Sequence, residues 1–253
     1  MIVTLLGTGT SQGVPVIACD CEVCTSTDPK DKRLRSSVMI EIDDKVFVID
    51  SGPDFRYQML REHVKRLDAI IFTHEHKDHV AGMDDIRAFN FRQKAAINIY
   101  ATERVQAALQ REFAYIFHEF KYPGIPQVNL NTITNAIFEV EGVPVIPIEA
   151  LHYKLPVLGF RIGDFTYITD AKTIAPEERA KIKDSKILVI NALQRDKHIS
   201  HFTLDEAVTF AQEMGAGQTY FTHISHRLGK HADVSLELPP NIHLAYDGLK
   251  FEL

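Results

Sequence analysis

The 253-residue sequence lacks any apolar run of the roughly 20 residues that a membrane-spanning helix requires. It also lacks a block of lysine and arginine. The formal net charge is −6, whereas nucleic-acid-binding surfaces are usually basic. Internal repeats, low-complexity tracts and evident linkers are absent as well. We therefore expect one globular domain over residues 1–253, with no membrane contact and with nucleic acid unlikely as a partner.

The N-terminal residues have no basic region ahead of an apolar segment, so the sequence shows no signal peptide and predicts a cytoplasmic protein. Cysteine is scarce: Cys19, Cys21 and Cys24 are the only three in the chain. An odd, tightly spaced cluster is not typical of a disulfide framework in such a protein. It indicates metal ligation or redox chemistry.

Short apolar runs bounded by turn residues predict a chain rich in strands. The predicted strands are residues 1–6, 37–42, 45–50, 67–73, 97–101, 137–140, 143–148, 157–162, 165–169, 187–191, 219–222 and 242–245. Helical spacing predicts helices over 55–64, 103–118 and 204–214, and residues 120–135 are predicted to form a loop. This order is neither strict strand–helix alternation nor all-β. It predicts an α/β (α+β) fold, a sandwich of two mixed sheets covered by helices.

The most informative motif is the run from His74 to His79, His-Glu-His-Lys-Asp-His, which directly follows the predicted strand 67–73. Histidine nitrogen and carboxylate oxygen are the ligands of catalytic zinc sites, which keep a position open for water. On a loop, His74 and His76 can point the same way, while Asp78 and His79 can reach a second metal about 3.5–4 Å away. A solvated polar loop is the competing interpretation, but the spacing is rare by chance.

Six residues cannot complete two metal sites, so further ligands should come from other strand ends. His152, Asp170 and His223 each lie at or just beyond the end of a strand-like run. Singly, each is more simply interpreted as a surface or capping residue. Together with the run from His74 to His79, they become good candidate ligands.

These motifs resemble the metallo-β-lactamase superfamily over essentially the whole chain, and most closely its PhnP-like branch, the cyclic phosphodiesterases of carbon–phosphorus lyase pathways. The segments that carry the resemblance are 7–15, the cysteine cluster, 49–54, 74–79, His152, 169–170, 201–203 and 222–226. The resemblance implies an αββα sandwich with two metals at one edge, and it suggests a homodimer. The implied ligands are His74, His76 and His152 for one metal, Asp78, His79 and His223 for the other, and Asp170 between them. Asp50 would orient a ligand.

The implied reaction is hydrolysis of a small cyclic or nucleotide-like phosphate diester by a hydroxide that bridges two metals. Zn²⁺ or Mn²⁺ is expected, although such ligands also accept Ni²⁺ or Fe²⁺. Asp78 and His201 are the candidate catalytic residues. His201 precedes the predicted helix 204–214, and its imidazole titrates in the range needed to protonate a leaving group. The resemblance points to the same residue, but His201 could also be an ordinary residue ahead of a helix cap.

The three cysteines fall one ligand short of a closed structural zinc site. The resemblance supplies His226 as the fourth ligand, which would tie this cluster to the active-site wall. Three reduced thiols without metal are the competing interpretation.

Other functions also fit parts of the sequence. A transfer-RNA 3′-end nuclease shares the metal motif, but its usual glycine- and proline-rich arm is missing and the charge is acidic. A thioester or lactone hydrolase, or a cofactor-biosynthesis accessory protein, remains open because one fold hosts many chemistries. The other histidines are expected on the surface: His63, His118, His198, His231 and His243. The aromatic residues between 113 and 122 are expected to pack in the core or in an oligomer interface, and a lid over the substrate is the weaker alternative.

Overall fold

The computed structural model describes residues 1–118 and 123–253, and its strands form two mixed sheets of seven strands each within those ranges. From edge to edge, the first sheet consists of β14 (Lys250–Glu252), β1 (Ile2–Gly7), β2 (Ser37–Ile42), β3 (Lys45–Ile49), β4 (Ala69–Ile71), β5 (Ile97–Ala101) and β6 (Val128–Thr132). The second consists of β13 (Ile242–Leu244), β12 (Gln218–Thr222), β11 (Ile187–Asn191), β10 (Phe165–Ile168), β9 (Leu155–Ile162), β8 (Val143–His152) and β7 (Phe138–Val140).

Helices cover the outer faces of both sheets. In the described ranges the α-helices are α1 (Phe55–Arg61), α2 (Lys77–Val80), α3 (Arg87–Gln93), α4 (Glu103–Glu112), α5 (Ala114–Phe117), α6 (Pro176–Arg179), α7 (Leu204–Met214) and α8 (His231–Ser235). Two 3₁₀ turns add Pro29–Asp31 and Met83–Ile86. Among these helices, none is long and apolar enough to cross a membrane.

The core forms three layers, which explains why many strands are apolar on both faces. In β3, Phe47 and Ile49 pack between the two sheets, while Val48 packs against the helices outside the first sheet. In β11, Val189 lies between the sheets and Leu188 faces the layer around α7. The predicted αββα sandwich of two mixed sheets is therefore confirmed.

Strand directions gather several strand ends at the same edge of each sheet. β3 and β4 are parallel, and so are β10, β11 and β12. β8 and β10 are both antiparallel to β9 and so run the same way. The residues that follow β3, β4, β8, β10 and β12 can therefore meet.

The ends of α7 follow the sequence prediction closely. Thr203 and Glu206 form a reciprocal capping box, and Gly215 ends the helix in a left-handed conformation. The predicted helix 103–118 is instead divided at Phe113 into α4 and α5. The predicted loop 120–135 is wrong for β6, which pairs with β5. Asn129 and Asn131 interrupt the apolar pattern of this edge strand and conceal it.

Several further elements differ from the predictions or fall outside them. α1 ends at Arg61, three residues before the predicted boundary. The elements without a predicted counterpart are β14, α2, α3, α6 and α8. In the aromatic stretch, Phe113 and Phe117 pack against the core outside the first sheet, as expected, whereas Phe120 and Tyr122 lie outside the described residues.

The short helix α2 carries Asp78 and His79, and it packs directly on the loop after β3. The Ser51 backbone N–H donates to the carbonyl of His79 (2.8 Å), and the Gly82 N–H donates to that of Ser51 (2.8 Å). A Cβ atom added to Gly52 would lie 2.0 Å from the Asp78 carbonyl oxygen. Only glycine allows this approach of the two backbones.

We expect Gly52→Ala to lower the free energy of unfolding by about 1–3 kcal/mol, because overpacking forces the backbone to shift. The shift falls on Asp78 and His79, so metal binding in the active site should weaken as well. Denaturant unfolding and metal titration measure the two effects. In the control Gly142→Ala, the added Cβ meets no atom within 4 Å and only backbone strain is added. Unchanged metal affinity in Gly52→Ala would contradict this account of α2.

Candidate dinuclear metal centre

The site is built on a buried carboxylate at the end of β3. Asp50 is fully buried and accepts hydrogen bonds from the Thr73 backbone N–H (2.9 Å) and hydroxyl (2.8 Å). Its Oδ2 atom also lies 2.7 Å from Nδ1 of His79. Asp50 therefore joins the end of β3 to the loop after β4 and fixes the imidazole ring of His79.

Three residues of the site adopt a left-handed backbone conformation within two residues of a strand end. The φ angles are 62° at Asp50, 58° at Asp170 and 55° at His223. This conformation is uncommon for residues other than glycine, and such strain clusters at functional sites. It turns the chain sharply at the strand ends and brings these side chains to the shared edge.

The structure brings the predicted ligands of the two sheets together. Groups whose ligand atoms all lie within 4.8 Å of one another are His74–His79–Asp170, Asp78–His79–His223 and His152–Asp170–His201. His76 is exposed and belongs to none of these groups, but its ring centroid lies 4.6 Å from that of His74 and 5.2 Å from that of His152. All seven predicted ligands thus lie in one cluster.

Several imidazoles in this cluster use one ring nitrogen in a hydrogen bond and leave the other free. Nδ1 of His79 is held by Asp50, and Nδ1 of His152 donates to the Ser200 carbonyl (3.0 Å). Nε2 of His74 is buried without a hydrogen-bond partner among the described residues. Nε2 of His79 is also buried, and it faces oxygens of Asp78 and Asp170 at 3.2 Å without a well-formed hydrogen bond. This is the arrangement of metal-ligating histidines, whose second nitrogen donates to a carboxylate or carbonyl.

The charges of the cluster are strongly coupled because it is buried. Burial alone would lower the pKa of His79, but the carboxylates of Asp78, Asp50 and Asp170 outweigh it and hold that pKa well above its usual value. Burial would raise the pKa of Asp170, but His223 and His79 hold it well below the usual value. Divalent cations can provide the same compensation. The residues therefore fit a dinuclear metal site.

His201 is buried at the edge of this cluster. Its ring centroid lies 4.5 Å from that of His152 and 4.9 Å from that of His223. Nδ1 lies 3.8 Å from Asp170 Oδ1 and has no hydrogen-bond partner in the described part of the chain. Burial lowers the pKa of His201 to about 3, against the opposing effect of Asp170. His201 is therefore placed to act on a bound substrate or to ligate a metal.

The three cysteines converge on His226, as the resemblance implies. The Sγ atoms of Cys19, Cys21 and Cys24 lie 3.3, 3.4 and 3.6 Å from Nδ1 of His226. A hydrogen bond from the Cys24 backbone N–H contributes most to lowering the pKa of Cys21 to about 6, whereas burial raises the pKa of Cys24 to about 11. Three sulfurs and one imidazole are a common structural-zinc donor set, so the cluster can hold zinc.

Two histidines expected on the surface lie elsewhere. His231 is buried, with Nδ1 3.2 Å from the Arg33 guanidinium and its backbone N–H donating to Asp31 (2.7 Å). His198 is half-buried, and its ring centroid lies 5.1 Å from that of His201. No local pattern marks His231, because its partners Arg33 and Asp31 come from the other end of the chain. The remaining three, His63, His118 and His243, are exposed as predicted.

Comparisons with known proteins agree with this geometry. The family model described as a beta-lactamase superfamily domain matches residues 45–224. A crystal structure described as a new diphosphatase from the PhnP family superposes with a TM-score of 0.94 and is 42% identical, covering 100% of this chain and 96% of that one. Zn²⁺-bound PqqB from Methylobacterium extorquens superposes with a TM-score of 0.80 at 18% identity, with both chains fully covered, and so shares the fold.

One curated relative differs in length. An octanoyltransferase from Porphyromonas gingivalis is 40% identical over 249 residues, which make up 97% of this chain but 50% of the relative. The chain therefore spans about half the length of this protein, and the relative's activity as a whole cannot be assigned to the matched part.

We expect the purified protein to contain one zinc ion per chain at the cysteine cluster, and Cys21→Ser to lose it and melt at a lower temperature, because a structural zinc contributes to folding. Elemental analysis and thermal melting measure both effects. Asp20→Asn is the control, since Asp20 is exposed and lies between two of the cysteines. Wild-type protein with three reactive thiols and no zinc beyond that in the active site would contradict the zinc assignment.

Proposed function

Because the chain belongs to the metallo-β-lactamase superfamily and, within it, to the PhnP family, we propose that it is a dinuclear metal-dependent phosphodiesterase acting on a small cyclic or nucleotide-like phosphate diester. The observation that carries this proposal is the cluster of buried histidine and aspartate side chains with unpartnered nitrogens. The similarity to a diphosphatase favours phosphorus as the atom attacked.

In this proposal each metal has its own ligands and one carboxylate is shared. His74, His76 and His152 would hold one metal, Asp78, His79 and His223 would hold the other, and Asp170 would be the shared carboxylate. When bound, such a pair of divalent cations supplies a hydroxide nucleophile near neutral pH and neutralises charge on the phosphoryl oxygens. Zn²⁺ and Mn²⁺ are the expected ions, since this donor set suits both.

The chain itself orients the ligands. Asp50 accepts from Nδ1 of His79 and so directs Nε2 of that ring toward Asp78 and Asp170, whose nearest oxygens both lie 3.2 Å away. The Ser200 carbonyl does the same for His152. Substrate therefore meets ligands whose ring orientations are already set, which reduces reorganisation during the reaction.

His201 is the proposed proton donor to the leaving oxygen. It is one of the buried imidazoles beside Asp170 and lies on the loop that leads into α7, outside the run from His74 to His79. A bound phosphate diester would place negative charge next to the ring, which favours the protonated imidazole. Proton transfer from a positioned side chain typically contributes 10²–10⁴-fold to a rate.

Acyl transfer is not proposed, because the octanoyltransferase match covers only half of that protein. Large nucleic-acid substrates are disfavoured by the net charge of −6. A homodimer remains a prediction from the resemblance.

We expect protein loaded with Mn²⁺ or Zn²⁺ to hydrolyse bis(p-nitrophenyl) phosphate, and Asp78→Ala to reduce kcat/KM by at least about 10³-fold, because one metal loses a ligand and with it the nucleophile. Release of p-nitrophenolate measures the rate. Asp205→Ala, which removes an exposed carboxylate at the start of α7, is the control and should keep the wild-type rate.

Absence of diester hydrolysis with every metal tested, together with cleavage of a thioester or lactone, would overturn the phosphodiesterase proposal.

For His201→Ala we expect a loss of about 10²–10⁴-fold in kcat on 2′,3′-cyclic AMP, whose leaving alkoxide needs a proton, and a much smaller loss on bis(p-nitrophenyl) phosphate, whose leaving group does not. Steady-state rates on the two substrates and metal content of the same preparation are the measurements. Loss of a metal ion in this variant would identify His201 as a ligand instead of a proton donor.

A further inference from the structure

A cavity of about 560 Å³ opens beside the metal cluster. It is lined by the proposed ligands His76 and His152 and, among others, by Tyr153, Lys154, Ile199 and Ser200. Its size falls within the range of small-molecule sites, about 300–1,000 Å³. A substrate phosphate held at the metal cluster would therefore extend its remaining groups into this cavity.

Tyr153 is unusual for its position. It is the first residue of the two-residue turn between β8, which ends at His152, and β9, which begins at Leu155. Its φ angle is 58°, a left-handed conformation that favours glycine or asparagine in tight hairpin turns. A tyrosine here is strained, and the residue is nevertheless 51% exposed. Neither turn geometry nor core packing accounts for this residue, whereas a ligand in the cavity does.

Another exposed apolar side chain lines the same cavity. Ile199 is 65% exposed and lines the same space, so an aromatic ring and an aliphatic side chain both present apolar surface to it. Exposed apolar side chains that share one cavity indicate a binding surface for a flat or apolar group. This surface directly adjoins the proposed ligands His76 and His152.

Lys154 adds a positive charge to the same turn. Its ammonium group lies 5.3 Å from the centre of the Tyr153 ring and forms no ion pair with a carboxylate among the described residues. Arg104, the other cation at the cavity, is paired with Glu75. Lys154 is thus the cation at this cavity that remains available to a substrate anion.

We propose that the Tyr153–Lys154 turn binds the nucleoside part of a nucleotide substrate, with Tyr153 stacking on the base and Lys154 neutralising a phosphate oxygen. The inference rests on the proposed phosphodiesterase function and narrows its substrate to a small phosphate ester that carries a nucleobase. Aromatic rings stack on every base because each base has a π-face, and a cation near the ring suits an anionic ligand. Tyr153 and Lys154 are therefore specificity-determining residues.

Calorimetric binding of AMP and of ribose 5-phosphate to Mn²⁺-loaded protein tests this inference, because the two ligands share the sugar and phosphate and differ in the base. We expect wild-type protein to bind AMP about tenfold more tightly or better, the range typical of base stacking. Tyr153→Asn should abolish this preference without unfolding the protein, since asparagine tolerates the left-handed conformation. Tyr153→Phe should retain it. Lys154→Met should weaken the binding of AMP and of ribose 5-phosphate by a similar factor.

Tyr57→Asn is the matched control, because Tyr57 is 58% exposed on α1 and does not line the cavity. It should leave the preference intact. Equal binding of AMP and ribose 5-phosphate to the wild type, or an unchanged preference in Tyr153→Asn, would overturn the inference. A ten-base single-stranded RNA that binds much more tightly than AMP would overturn the small-nucleotide assignment in favour of an RNA end.

The assays separate this inference from the proposed function. Diester hydrolysis without a base preference would leave the phosphodiesterase proposal standing and remove the nucleotide site. Base-dependent binding through Tyr153 without diester hydrolysis would keep the nucleotide site and remove the phosphodiesterase proposal.

Discussion

Burial of charge at one edge of the sandwich is the constraint on which the site depends. Asp50, Asp170, His74 and His79 are almost completely excluded from water. A carboxylate in such a place is costly unless it is paired and hydrogen-bonded. Protons on the histidines or cations between the ligands must therefore provide the compensation. Since the pKa of His79 is held well above its usual value by three carboxylates, a metal that binds there must displace a proton, and its affinity should fall at low pH.

Those parts of the fold and of the site that depend on local sequence patterns could be predicted from the sequence. The apolar strands and the capped helix over 204–214 depend on neighbouring residues, and the structure shows them near the predicted positions. Candidate ligands such as His152, Asp170 and His223 were recognisable because a polar residue directly after a strand-like run lies at a sheet edge, where ligands from several strands can meet. The parallel strand directions then place these residues together. Their proximity could not be derived from local sequence patterns, because it depends on how the strands are arranged in the fold.

What the sequence could not reveal depends on contacts between distant segments. β6 is concealed because an edge strand tolerates the asparagines that break its apolar pattern. His231 is buried against Arg33 and Asp31, which come from the other end of the chain. The significance of Tyr153 is likewise hidden, because only its backbone conformation and its place in the cavity set it apart.

The segment from His223 to His226 belongs to two sites at once. His223 lies in the His/Asp cluster, and His226 contacts the three cysteine sulfurs. If both sites hold an ion, an ion that orders this segment from one side would lower the conformational-entropy cost of binding the other. Such coupling is reciprocal, so each ion would raise the affinity of the other by the same factor. Oxidation of the three cysteine thiols would then weaken metal binding at the His/Asp cluster, although no atom of that cluster had changed.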